Sequence, residues 1–181
     1  MKAGNRLEIL KLRNAMLLVI VGSVILFFGV LSVLVYSTQI KGHVYSALAI
    51  PLLLLIAGGV IVFLGALDIY GGFKAMQSAD RIYDFGEYGA LAQFTASILL
   101  IIGFYLLVFS NGASAELLGS EFTLVGYIIG AICASPVGIA FHKLGKKYNS
   151  GLVKYGSLGY VLIPIAGPLI LYFGLNEIAA R

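Results

Sequence analysis

An all-α integral membrane bundle of five transmembrane helices is the fold this sequence predicts, and three observations carry the expectation. The 181 residues are 60% hydrophobic and 11% charged, with a mean hydropathy of +1.01, well outside the range of soluble domains. Apolar runs of roughly 20 residues, the length that crosses a hydrocarbon core about 30 Å thick, recur along the chain. The basic residues flank these runs instead of covering a polar domain, so the net charge of +4 is a topology signal and not a nucleic-acid surface. The expectation is one polytopic domain, 1–181, in the cell membrane.

The first span is expected at 15–36. Lys2, Arg6, Lys11 and Arg13, set against Glu8, precede it, as in a signal peptide, but an apolar run from Ala15 to Tyr36 exceeds the about 7–15 residues of a signal core. It is read as a retained helix, with 5–13 as a short interfacial turn. The second span, 45–67, carries Pro51 in its first turns, where a missing amide hydrogen matters little, and Asp68 closes it. The next stretch, DIYGGFKAMQSADRIYDFGEYG, mixes charge with Tyr70, Phe73, Tyr83, Phe85 and Tyr88. That mixture suits the headgroup region, so it reads as a loop on the membrane surface.

In the third span, 89–109, Gly89, Gln93 and Ser97 recur every fourth residue and share one small, polar face. The fourth, 123–141, carries the ladder Gly126, Gly130, Ala134 and Gly138, spaced for close approach of two helix backbones. The fifth, 155–175, holds Pro164 and Pro168. Each proline removes a donor, which frees the carbonyls of Tyr160 and Pro164 on one side of a kinked helix. In hydrocarbon those groups need a neighbouring helix, a water or a ligand.

With the N-terminus cytoplasmic, ten Lys and Arg fall inside and two, Lys41 and Arg181, outside. An odd number of spans then leaves the C-terminus outside. Lys143, Lys146, Lys147 and Lys154 form a cytoplasmic loop suited to anionic headgroups. A gapless match at an offset of about 67 residues also pairs Gly59 with Gly126, Tyr88 with Tyr155 and Gly89 with Gly156, consistent with a parallel internal repeat.

Little in the chain points to chemistry. No span has an ionisable residue near its middle, where one would mark a functional site. The single Cys133 can form no intramolecular disulfide. His43 and His142 fall on opposite sides of the membrane and are unsuited to a shared haem. Cys133 and Ser135 stand roughly 13 and 10 Å from His142 along a helix axis, too far for a nucleophile and its base. No metal, phosphate-loop or hydrolase motif is present. No cofactor, metal site or enzymatic activity is expected.

The segments RLEILKLRNAMLLVIVG (6–22), FHKLGKKYNSGLVKYG (141–156) and IPIAGPLILYFGLNEI (163–178) resemble an uncharacterised archaeal family of small multi-pass membrane proteins, the domain of unknown function 973 group. The resemblance implies an archaeal origin and a multi-helix membrane fold, and assigns no activity to any residue. Short loops, small-residue faces and the absence of a central charge lead to an accessory or scaffold subunit, partnered by lipids and by other membrane subunits or by itself. The alternative is a small oligomeric transporter or channel with Gln93, Ser97, Pro164 and Pro168 along its path.

Overall fold

The computed structural model describes residues 3–39, 44–77, 80–109, 113–163 and 165–181. They form six helices: α1 (Ala3–Gln39), α2 (Val44–Met76), α3 (Ile82–Phe109), α4 (Ala113–Lys147), α5 (Gly151–Leu162) and α6 (Ala166–Ala180). Helices satisfy their own backbone groups, which hydrocarbon requires. Four stretches are long and apolar enough to cross a membrane: Arg6–Val33, Ile50–Met76, Ile82–Leu106 and Leu117–Lys147. They overlap the first four expected spans, and the described residues are those of an all-helical membrane protein.

The helices run well past the expected boundaries. Residues 5–13 are the start of α1 itself, with Ile9 and Leu12 fully buried. Most of the expected surface loop is likewise helical, because α2 continues to Met76 and α3 begins at Ile82. Its aromatic residues divide: Phe85 and Tyr88 are exposed, while Phe73 and Tyr83 are fully buried. Phe73 stacks on Tyr83 with centroids 6.0 Å apart and meets Phe141 of α4 edge-on at 5.0 Å. Helix ends that continue beyond the hydrocarbon can still bury rings against one another. Asp80 starts α3 by accepting from the Ile82 amide at 3.1 Å.

The expected fifth span is corrected. Residues 155–175 are not one kinked helix but parts of two: α5 ends at Leu162, α6 begins at Ala166, and the two fold back on each other. A Cβ added to Gly167 would lie 2.1 Å from Tyr160 N, one on Gly156 would meet Leu171 N at 2.9 Å, and one on Gly174 would meet Val153 N at 2.8 Å. This descending series makes the pair antiparallel. Glycine is the reason the chain reverses instead of bending: at Gly159 and Gly167 the two backbones come too close for any side chain. Pro168 falls in the first turn of α6, where a proline is tolerated. Pro164 lies outside the described residues.

The hairpin returns the chain to its starting end. Arg181 donates to the Tyr148 carbonyl at 3.2 Å and pairs with Glu177, and Arg13 of α1 donates to Asn176 Oδ1 at 3.1 Å. The C-terminal residues therefore lie beside Arg13 and the α4–α5 turn, which corrects their expected place on the opposite side. The end holding Arg13, Lys143, Lys147 and Arg181 is called the basic end below, and the opposite one the far end.

Each helix packs on its chain neighbours and α6 closes onto α1, giving a ring in the order α1, α2, α3, α4, α5, α6. Small residues set the distances. Gly22 faces Gly58 across α1 and α2, where a Cβ on either would come within 2.9 Å of the other's carbonyl oxygen. A Cβ on Gly103 of α3 would come 2.4 Å from Thr123 Oγ1 of α4. In the half toward the basic end the ring is filled by a packed core that includes Leu12, Met16, Ile69, Phe73, Tyr83, Phe141, Leu144 and Leu171.

Candidate functional site

In the other half the ring is hollow. At the level of the α5–α6 break lies a cavity of about 290 Å³ to which every helix contributes. α3 supplies Gln93 and Ser97, α5 Tyr160, α6 Pro168, α1 Ser23, and α4 Tyr127, Gly130 and Ala131. Tyr160 is buried and donates its hydroxyl to Gln93 Oε1 at 2.9 Å. Ser97 Oγ donates to the Gln93 carbonyl at 2.9 Å, a bond within α3 that leaves its hydroxyl satisfied. No other hydrogen bond of the Gln93 side chain joins it to a described residue, so its amide N–H groups are left to the cavity.

A second cavity, of about 130 Å³, continues toward the far end between Leu26 and Val30 of α1, Leu52 and Leu55 of α2, and Ile101 and Phe104 of α3. The two share Val62, Ser97, Leu100 and Tyr127 along their walls. Neither is lined by a charged residue. An ion would meet no counter-charge there, at a cost of several kcal/mol in a low-dielectric setting.

The structure thus gathers much of the polar face read from the sequence. Gln93, Ser97 and Pro168 line one cavity although they come from three different stretches of chain. The ladder on α4 faces two neighbours of the same chain: Gly126 lies against Ala96 and Leu100 of α3, Gly130 against Ala96, and Gly138 against Ser157 and Val161 of α5. Ala134 is buried between these levels. Sequence reasoning missed Ser23 and Tyr127 as cavity residues, and singled out Tyr160 for its carbonyl and not for its side chain.

Of the four lysines, Lys143 reaches Asp80 at 3.6 Å, and Lys147 lies 5.8 Å from the ring centroids of both Tyr83 and Tyr148. Lys146 is exposed and Lys154 half-buried. Asp80 lies outside the spans, and its carboxyl is held below the usual carboxylate range, first by the Ile82 amide and then by Lys143. A further pocket of about 280 Å³ between α4 and α5 is lined by Ser135, His142 and Ser157. There Ser157 Oγ donates to the Lys154 carbonyl at 2.6 Å, so its proton is directed at the backbone. Among the described residues no group of three His, Cys, Asp or Glu is placed to hold a metal ion.

No curated protein and no solved structure matches the chain. The family described as protein of unknown function (DUF973) matches residues 6–181, taking in the hairpin, the cavity and both terminal segments, and the chain belongs to that family.

Proposed function

We propose that this is a non-enzymatic binding or transport protein of the cell membrane, working through the central cavity at Gln93, Ser97, Tyr160 and Pro168. One observation carries the reading. A polar pair, Gln93 and Tyr160, is bonded inside a cavity at the break of a hairpin, and non-helical backbone at membrane depth is tolerated where it is buried in protein or lines such a space. Helix breaks facing a midplane site are the construction used by carriers.

The accessory-subunit reading has less support. Of its grounds, the small-residue face at Gly126, Gly130 and Gly138 packs on α3 and α5 of the same chain. Homo-oligomers and lipid partners belong to the proposal, with Lys143, Lys146, Lys147 and Lys154 facing anionic headgroups. With Arg181 beside Tyr148, eleven of the twelve Lys and Arg fall on one side and Lys41, between the first two helices, on the other. This favours a cytoplasmic basic end holding both termini.

Cysteine access tests the cavity. In a Cys133→Ala background, Ser97→Cys is expected to react with a small membrane-permeant maleimide in intact membranes, and Ala140→Cys, fully buried in the packed core and lining none of the cavities, is expected to be protected. Complete protection of Ser97→Cys would mean that the cavity admits nothing and would end this reading.

A further inference from the structure

The shape and chemistry of the two adjoining cavities point to a class of ligand. We propose that they hold a single hydrocarbon chain bearing one small uncharged polar group, admitted sideways from the bilayer between α1 and α4. This deepens the transport or binding reading above and rests on it.

The route follows from the ring. Among the described residues no Cα of α1 lies within 8 Å of one of α4; α5 and α6 stand between them. With 12 and 15 residues these helices are only about 18 and 22 Å long, too short to cross a core about 30 Å thick. The hairpin therefore closes the gap toward the basic end and leaves it open beyond the α5–α6 break. Ser23 on one side and Tyr127, Gly130 and Ala131 on the other edge that gap. Tyr127 and Ala131 are exposed, and Ala131 offers no side chain large enough to block passage. From the basic end there is no comparable way in, because fully buried Leu12, Met16, Ile69, Phe73 and Phe141 fill the ring.

The length follows from α3. Gln93 lines one cavity and Phe104 the other, and eleven residues of helix separate them by about 17 Å, close to the depth of one leaflet in a core about 30 Å thick. A chain of that length is the natural solute of this region. The walls between Ser97 and Phe104 are aliphatic and aromatic, as an alkyl or isoprenoid chain requires.

The polar group follows from Gln93 and Tyr160. They lie in the cavity at the hairpin break, with the Tyr160 hydroxyl directed at Gln93 Oε1 and the amide N–H groups left to donate. A hydroxyl or carbonyl oxygen accepts from them. A carboxylate or phosphate would be buried with no counter-charge, since no Lys, Arg or His lines either cavity. The site thus selects for an uncharged head.

The test uses the full-length protein in phosphatidylcholine nanodiscs. Hexadecanol is the probe, with palmitate and butanol as comparisons and Ser97→Cys maleimide reaction as the readout. Hexadecanol is expected to protect Ser97→Cys, palmitate and butanol far less. Adding Gln93→Leu, checked for unchanged elution and for a folded protein at the assay temperature, should weaken protection by roughly fivefold, as loss of one hydrogen bond implies, and Tyr160→Phe, which leaves the Gln93 amide unheld, should weaken it less. Ala131→Phe should slow protection by filling the gap, whereas Leu53→Phe on the lipid-facing side of α2 should not. If Ser97→Cys reacts with maleimide but hexadecanol does not protect it, the ligand class falls and the cavity reading stands. Equal protection by palmitate, or no effect of both Tyr160→Phe and Gln93→Leu, overturns the assigned polar end. An unreactive Ser97→Cys removes both proposals.

Discussion

At Gly167 the hydrogen in place of a side chain decides whether the C-terminal hairpin can close. A methyl there would lie 2.1 Å from the Gly159 carbonyl carbon and the Tyr160 nitrogen, and backbone atoms cannot swing aside. Gly167→Ala is expected to destabilise the protein by about 3 kcal/mol or more, at the upper end for overpacking. Gly151→Ala, with nothing within 4 Å of its Cβ position, should stay within about 0.5 kcal/mol. Chemical unfolding in detergent micelles measures both. The Tyr160–Gln93 bond makes a second single-residue case. Tyr160→Phe and Gln93→Leu should show a coupling of about 0.6 kcal/mol, the usual worth of a hydrogen bond within a membrane, with the double variant less destabilised than the sum. Asp80 supplies a pH dependence. Its carboxyl is held below the ordinary 3.8 in the folded protein, so its contribution is complete above that value and lost as pH falls through the lowered pKa. Asp80→Asn keeps an N-cap oxygen and should flatten this acid limb of the melting-temperature profile. An unchanged limb would assign it to other groups.

At the scale of elements, the turn between α4 and α5 shows how a lysine-rich segment becomes a fixed corner. Asn149 has φ 51°, the Ser150 amide donates to the Gly145 carbonyl at 2.9 Å, and the Asn149 amide to that of Lys146 at 3.2 Å. These paired bonds close α4 with a left-handed residue just past its end. Ser150 then caps α5, its buried Oγ accepting from the Val153 amide at 3.4 Å. Asn149→Ala is expected to cost about 1 kcal/mol for the left-handed conformation, and Ser150→Ala about 1 kcal/mol for the lost cap. Ser150→Gly should cost only a few tenths. Thermal melting of the three variants checks the order. The sequence made this turn legible as a loop and made the four long helices legible through their apolar length. It hid the hairpin, because Pro164 and Pro168 fit a kinked span as well as a reversal. What distinguishes the two is the pairing of Gly159 with Gly167, a contact across the turn that periodicity within one helix does not reveal. The burial of Phe73 and Tyr83 was hidden similarly: aromatic residues among charges suit a headgroup belt and a helix-end core alike.

For the molecule as a whole, the ring makes sense of residues that the sequence could only place on faces. Gln93 and Ser97 were legible as one polar stripe of α3. Their partner Tyr160 was not, since it arrives from α5 by way of the reversal. The same reversal sets the topology. Tags at the two ends should be equally accessible to protease from one side of sealed vesicles, and opposite accessibility would restore a fifth span. The half-length hairpin also constrains how the protein is made. α5 and α6 leave a synthesising ribosome as a segment that no bilayer can hold upright alone, with a broken backbone at its tip. The tip needs a vestibule already walled by the first four helices before it can leave water. Assembly should therefore be ordered, with α1 to α4 inserted first and the hairpin docking last, pressed home by Arg13, Asn176 and Arg181 at the surface.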